Sequence, residues 1–599
     1  MDVSVVTVIG AGLAGCEAAL QCARRGVPVR LLEMRPERMT EAHETGDVAE
    51  LVCSNSLKSD EPTNAHGLLK AELRVLGSIL LECAERARVP GGKALVVDRR
   101  RFSAEVKRAL DDAGIEVVRQ EVTEPDFATK TPRHEASADG VDEGRGESST
   151  DSTDDTDERE PNEHDTDVTV IATGPLTSPS MADALQALLG TDRLFFYDAI
   201  APIVSAESLD MSRVFEGSRY GAGDVEKLDV RCEMSDVRSE EARTRTVSGY
   251  LNCPMTEEEY GRFVDALVTA ELHPLHEFED PKQEHPQITQ ITQIAGQQPP
   301  APQQGPGTRN EEPRTFYEGC LPVEEIARRG RLALAFGPMK PVGLVDPRSL
   351  GQNGDSPWES HRALRRDSPH FDGHVPRRPF AVVQLRRENA EGTMYNLVGF
   401  QTRLRQGEQE RVFRMIPGLE KVTFLRFGSI HRNTFLDSPK VLLPTLQTRA
   451  SPDLLVAGQL TGVEGYVESI GAGLVAGVNA ARLASGSGPV EVPREMMLGS
   501  LLRYISGGAL ECGSTAPALP ESFGKAAASL PHSKRFQPMN ANFGLLPGIG
   551  RLGTRSQFPG GIGSCPAPRL RGREKRRALA ERALEAAHAF ALTLVEKRA

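Results

Sequence analysis

Three glycines near the start of the chain, Gly10, Gly12 and Gly15, have the spacing with which a backbone holds a pyrophosphate. Gly10 permits a tight turn, Gly12 lets phosphate oxygens approach the main chain, and Gly15 lets the following helix pack close to the preceding strand. Ala11, Leu13 and Ala14 fill the same turn without adding a charge. Glu33 follows about 20 residues on, where a carboxylate can accept ribose hydroxyls. The chemistry these residues offer is dinucleotide binding.

The elements that must position them are legible around them. Residues 5–9 are an apolar run that reads as a buried parallel strand, 16–25 read as a helix, and 28–32 as a second strand. Such a βαβ unit points a helix N-terminus at the phosphates. A second strand-turn-helix lies far downstream: 454–459, a turn through 460–466, and a glycine-rich helix over 469–477. Flavoproteins of the glutathione-reductase type use two such segments on one FAD, the second bringing a helix dipole to the flavin pyrimidine. The pairing therefore favours FAD over NAD as the tightly held nucleotide and disfavours S-adenosylmethionine. Gly458, Gln459, Gly462, Glu464 and Gly471 join the expected cofactor-binding set.

The length, 599 residues, leaves room for more than one domain. Alternating strands and helices predict an α/β fold: a Rossmann-like FAD-binding domain of the glutathione-reductase type, interrupted by an α/β insertion domain. The nine cysteines contain no CxxC pair, which argues against a disulfide framework or a zinc site, and no metal is expected. No apolar run is as long as a membrane span, and the cofactor strand starts too near Met1 for a targeting peptide to precede it. A cytoplasmic protein with no membrane partner is expected. The net charge of −13 is local: residues 134–167 carry 14 Asp and Glu against two Arg, leaving about −1 elsewhere. The acidic total therefore does not exclude a nucleic-acid face.

Along the chain, residues 1–194 read as the first part of the FAD domain. They include a helix over 65–86, a strand at 94–97, a helix from 99 and a strand at 115–119. Residues 130–167 read as an acidic disordered insertion, and 168–174 as a buried strand ending in Ala-Thr-Gly. Residues 195–380 read as the insertion domain, with strands at 200–204, 246–251 and 332–335 and low-complexity insertions at 281–313 and 352–377. Residues 381–599 read as the second part of the FAD domain. They end in an amphipathic helix whose Leu579, Ala583, Ala586, Phe590 and Leu594 share a face.

Several runs carry a more specific likeness. Val52-Cys53-Ser54-Asn55-Ser56-Leu57-Lys58-Ser59, Tyr250-Leu251-Asn252-Cys253-Pro254-Met255-Thr256 and Gly337-Pro338-Met339-Lys340-Pro341-Val342-Gly343-Leu344 are among them. So are residues 456–466 and Gln537-Pro538-Met539-Asn540-Ala541-Asn542-Phe543-Gly544. Together they resemble the folate- and FAD-dependent tRNA uracil-5 methyltransferases, the TrmFO family. The resemblance implies methylation of a tRNA uridine at C5, at position 54 of the T-loop. Carbon would come from 5,10-methylenetetrahydrofolate, electrons from reduced FAD, and NADH or NADPH would reduce the FAD. The flavoproteins that modify the tRNA wobble uridine share this framework and are the nearest alternative. An NAD(P)H:FAD oxidoreductase without an RNA substrate is the next.

The implied reaction assigns work to Cys53 and Cys253. Uracil C5 is a poor nucleophile until a group adds to C6, and a thiolate suits that addition. Cys253 is the expected nucleophile and Cys53 the assistant, with exchange of roles left open. Cys16, Cys22 and Cys83 lie in helical stretches and read as small core residues. Lys340, Arg403 and Arg405 are candidate substrate contacts. RNA binding is expected from two basic regions. One is the arginine-rich stretch 377–414, with Tyr395, Phe400 and Phe413 interleaved; the other is the run Arg569, Arg571, Arg573, Lys575, Arg576, Arg577.

Overall fold

The computed structural model describes residues 4–123, 168–190, 193–219, 224–225, 246–247, 249–273, 321–344, 346, 379–507, 536–548, 570 and 572–594. The insertions expected at 130–167, 281–313 and 352–377 lie outside these residues. So do Arg377, Arg378, Arg569 and Arg571.

The first body is built on a five-stranded sheet in the order Leu454–Val456, Val168–Ile171, Val6–Ile9, Val29–Glu33, Val117–Arg119. Every pairing is parallel; Val6 sits beside both Val29 and Val168, and Leu454 beside Thr169. These strands are Val-, Ile- and Leu-rich because helices cover the sheet, as parallel sheets require. The helices Leu13–Arg24 and Tyr466–Ala484 pack against each other at close range. Glycine makes this possible: a Cβ at Gly473 would stand 2.3 Å from the Ala14 carbonyl, and one at Gly477 would stand 2.4 Å from that of Ala18. The two distant FAD-type segments are thus locked side by side.

The helix expected over 65–86 is two helices, Ala65–Val75 and Ile79–Arg86. Gly77 takes φ +74° between them. Ser78 caps the second with its hydroxyl, and the buried Glu17 carboxylate accepts the Ser78 hydroxyl and the amides of Ile79 and Leu80.

The second body is a six-stranded sheet in the order Phe215–Glu216, Tyr250–Met255, Ala381–Arg387, Met394–Leu397, Ile203–Ser205, Phe424–Arg426. All its pairings are antiparallel. The helix Glu257–Thr269, opened by a Thr256–Glu259 capping box, contributes Tyr260, Phe263, Val264 and Leu267 to the core with this sheet. Three of the six strands lie beyond residue 380, so the sheet carries this body past the expected boundary to Arg426. The long-range pairing of 381–387 with 250–255 decides this, and local sequence does not report it. Residues 332–335, expected as a strand, fall mainly in the short helix Ala333–Phe336. A two-stranded ribbon, Arg193–Ala199 against Ile430–Leu436, links the bodies. The C-terminal helix Gly572–Leu594 buries Leu579, Ala580, Ala583, Ala587 and Phe590. Among the described residues no helix is long and apolar enough to cross a membrane, and no group of acidic, His or Cys side chains could hold a metal.

Candidate functional site

The glycine turn opens onto a cleft lined by Gly10, Gly12, Leu13, Ala14, Glu33, Gly458, Gln459, Tyr466 and Ser469, among others. The cleft encloses about 990 Å³ of non-protein space, part of it open solvent. Gly10 has φ +103°, and a Cβ there would strike the Ala172 carbonyl at 2.5 Å. A Cβ at Gly15 would fall 1.8 Å from the Gly10 carbonyl, whereas Gly12 has nothing within 4 Å of its own. Gly10 and Gly15 are therefore required by the turn itself, and Gly12 leaves room for a ligand. No side chain caps the helix that begins at Leu13, and its first turn has no acidic residue. Its leading amides are suited to phosphate oxygens. These features fit a dinucleotide such as FAD.

Glu33 serves the turn directly. Its Oε2 accepts the Ala11 amide at 2.8 Å, and its Oε1 accepts both the amide and Nε of Arg35 at 3.0 Å. A second Arg35 nitrogen donates to Oε2 at 3.3 Å. Burial works against the charge, but Arg35 and the Ala11 amide hold the carboxyl below its ordinary range. A carboxylate has about four acceptor positions, so Glu33 is already saturated. The ribose contact expected of it would have to displace Arg35. His43, another lining residue, is driven down to about 3 by burial and by Arg35, so it is neutral at pH 7.

Downstream, Gly458 and Gln459 line the cleft, while Gly462 and Glu464, expected with them, do not. Gly462 has φ +84°, and a Cβ there would meet the Phe536 ring at 2.4 Å. Glu464 accepts from the Gln459 side chain at 2.6 Å, and burial, aided by Asp198, pushes its carboxyl up. The 537–544 run joins this turn: the Met539 amide donates to the Gly462 carbonyl, and the Glu464 amide donates to the Met539 carbonyl. Gly471 is a correction. It faces Leu498 and Leu73, with a Cβ landing 2.8 Å from the Leu498 side chain, so it serves helix packing and not the cofactor.

The two cysteines part company. Cys53 is half-buried in the loop between the cleft and the second body. Its amide and that of Ser54 donate to the Tyr466 hydroxyl oxygen at 2.8 and 3.1 Å. Tyr466 itself lines the cleft, so the thiol-bearing loop touches the cofactor wall. Cys253 is fully buried. The alternation of strand Tyr250–Met255 puts it on the face of Leu251 and Met255, in one core cluster with Tyr260 and Phe263. Burial pushes its thiol up. The expected nucleophile is therefore enclosed among core residues of the second sheet, where burial keeps its thiol protonated.

The expected RNA contacts also change. Arg403 is ion-paired to Glu325 at 2.8 Å, and its amide donates to Glu324. Arg386 is buried; Arg411 and Arg414 pair with Glu408 and Glu410. Tyr395, Phe400 and Phe413 are core. The stretch is thus divided: Arg386 and the three aromatics are internal, whereas Arg405 and Arg411 are exposed and Arg411 and Arg414 are occupied by surface ion pairs. Arg405 is 56% exposed, with Glu271 at 3.9 Å, and Lys340 projects to the surface away from the lining of the cleft. In the C-terminal helix Arg573, Lys575, Arg576 and Arg577 are exposed.

Sequence reasoning missed the linker ribbon. His431 and Asn433 are almost fully buried there, with His431 Nδ1 2.9 Å from Asn433 Oδ1. His431 Nε2 and Asn433 Nδ2 have no hydrogen-bond partner among the described residues. His431 lies near enough to His43 for its charge to depress that imidazole further. The only signal available was that His431 and Asn433 share a strand face with Phe435, while Arg432 and Thr434 take the other.

A sheet of this order with a glycine-turn cleft defines a Rossmann-like, FAD-type fold. Comparison with known proteins makes it particular. The family described as Glucose inhibited division protein A (GIDA) matches residues 5–304 and 297–488. A protein of Heliobacterium modesticaldum named methylenetetrahydrofolate--tRNA-(uracil-5-)-methyltransferase TrmFO is 44% identical over 90% of this chain and 91% of its own length. A Pelotomaculum thermopropionicum protein of the same name is 41% identical over 98% and 99%. Among solved structures, Aquifex aeolicus GidA in its form I crystal aligns with TM-score 0.50 at 16% identity, covering 84% of this chain and 70% of that one, a likeness of fold. The chain belongs to the GIDA family and, within it, to the TrmFO proteins.

Proposed function

We propose that this protein methylates C5 of a uridine in tRNA, at position 54 of the T-loop. 5,10-Methylenetetrahydrofolate is the carbon donor, FAD the cofactor, and NADH or NADPH the reductant, in the cytoplasm. The names of its relatives support the reaction class. The observation that carries the site assignment is the position of Cys53: a half-buried thiol whose loop is tied by Tyr466 to the wall of the nucleotide cleft.

FAD, when bound, supplies the electrons that reduce a methylene to a methyl. The chain's own residues do the rest. The Gly10–Gly15 turn and the helix from Leu13 bind phosphate, and Glu33 with Arg35 keeps that turn in shape. Cys53 is the thiol that adds to uracil C6, giving C5 the electron density it needs to attack the one-carbon unit. Loss of the C5 proton with departure of the carrier amine leaves an exocyclic methylene, and its two-electron reduction expels the thiolate and restores the ring.

The test is methylation of a T-loop tRNA with 5,10-methylenetetrahydrofolate and NADH. Wild type should form 5-methyluridine, and Cys53→Ala should lose about a hundredfold or more in rate while keeping its flavin. A flavin-loaded wild type that leaves the T-loop unmodified would overturn the reading; a change at the wobble uridine instead would favour the related flavoproteins.

A further inference from the structure

The linker strand Ile430–Leu436 carries two buried polar side chains whose hydrogen-bonding capacity is only half used. His431 is 2% exposed and Asn433 is 1% exposed. Asn433 Oδ1 can only accept, so its contact with His431 Nδ1 places the ring proton on Nδ1, an assignment made from this hydrogen bond. In the neutral ring Nε2 is then an open acceptor, and Asn433 Nδ2 on the same strand face is an open donor. Buried polar atoms are seldom left unmatched, because the loss of water is not repaid. An acceptor and a donor left open together are the complement of a ring edge that carries N–H next to C=O.

The surroundings of the strand say which ring. Phe435, on the face of His431 and Asn433, packs on Phe536, the ring that a Cβ at Gly462 would strike. That face therefore looks toward the turn Gly458–Thr461, whose Gly458 and Gln459 line the nucleotide cleft. The Thr434 amide donates to the Pro175 carbonyl at 2.8 Å, and Pro175 lines the same cleft. His43, a lining residue from a third stretch, is near enough to feel the charge of His431. The open atoms thus stand among three segments of the wall that holds FAD.

We propose that His431 and Asn433 bind the N–H and C=O edge of the flavin pyrimidine ring, His431 Nε2 accepting the N–H and Asn433 Nδ2 donating to the carbonyl. Uracil and pterin rings present the same edge, but they arrive with the substrates, whereas the segments around this pair are those of the resident nucleotide. The assignment rests on FAD in this cleft and is independent of which thiol meets the uracil.

The test uses the full-chain holoenzyme. Its FAD is exchanged against an equimolar mixture of FAD and N3-methyl-FAD, in which a methyl replaces the N–H, and the flavin retained is read by mass. Wild type should favour FAD by about tenfold, the worth of one good buried hydrogen bond. The double variant His431→Phe, Asn433→Leu removes both open atoms at once and leaves neither partner stranded, so it should hold the fold. Its preference should fall to about one, and it should release FAD about tenfold faster on dilution. His431→Gln, which keeps an acceptor, should recover part of the preference. If the double variant does not fold, Asn433→Ala carries the test through the release rate. A wild type that takes both flavins equally, or a folded variant with the wild-type ratio and release rate, would leave these atoms to water and overturn the proposal. So would an unchanged ratio with KM raised for tRNA or for the folate, which would move the pair to the uracil or the pterin.

Discussion

Cys53 and Cys253 sit in runs that look alike on paper, a thiol beside Ser or Asn, and the fold treats them in opposite ways. Cys53 lies in a loop held by side chains from elsewhere, with its thiol half-buried and its amide bonded to Tyr466 of the cleft wall. Cys253 lies on a strand whose backbone is held by its neighbours, which sends its side chain into the core at 0% exposure. A loop gripped from outside can present a group, whereas a strand packed on one face can only bury every second one.

The largest expected effect separates the two thiols. In the folded protein iodoacetamide should label Cys53 and leave Cys253 untouched until denaturant is added, a rate difference of about a thousandfold or more set by the opening equilibrium. Equal labelling under native conditions would remove the distinction. Next comes the framework under Cys53. Gly15→Ala puts a methyl into the Gly10 carbonyl and should cost about 3 kcal/mol by overpacking, with loss of flavin binding, read by calorimetry and by flavin absorbance.

Two buried carboxylates sharpen the contrast between elements held by charge and elements held by packing. Glu72 accepts the amides of Met497 and Leu498 and is raised by burial to about 8. Its contribution to stability is complete below its ordinary 4.5 and is lost as pH rises through 8. Glu468 is likewise buried, which alone would raise it, but His66, Lys58 and the Ala541 amide bring it to about 2. Its contribution is complete above 4.5 and is lost as pH falls toward 2. Melting curves should therefore show Glu72→Gln gaining on wild type between pH 5 and 8, and Glu468→Gln losing least at pH 3. Parallel pH profiles would contradict both assignments.

The smallest effect concerns RNA. Replacing Arg573, Lys575 and Arg576 by Gln should flatten the salt dependence of tRNA affinity by about 0.7–0.9 for each phosphate contact removed. Arg403→Gln, which breaks the bond to Glu325, should instead lower the melting temperature and leave the salt slope alone.

Much of the cofactor half was legible because its determinants are local. Gly10, Gly12 and Gly15 are required by one turn, and the parallel strands announce themselves as short apolar runs. The second body was less legible. Its sheet closes by pairing 250–255 with 381–387, and its charged side chains find distant partners, Arg403 with Glu325 and Glu388 with Arg99, that no spacing rule connects. Cys253 could have been placed: Leu251, Cys253 and Met255 alternate with Asn252 and Pro254, the period of a half-buried strand. Gly77 followed by Ser78 was likewise a stop-and-cap signal inside an apparently continuous helix.

The central claim is that Cys53 is the thiol that meets the uracil ring. Incubating the flavin-loaded enzyme with 5-fluorouracil-containing tRNA and mapping the covalently linked peptide tests it most directly. The adduct should fall on Cys53 and vanish in Cys53→Ala. An adduct on Cys253 in the folded enzyme would contradict the account.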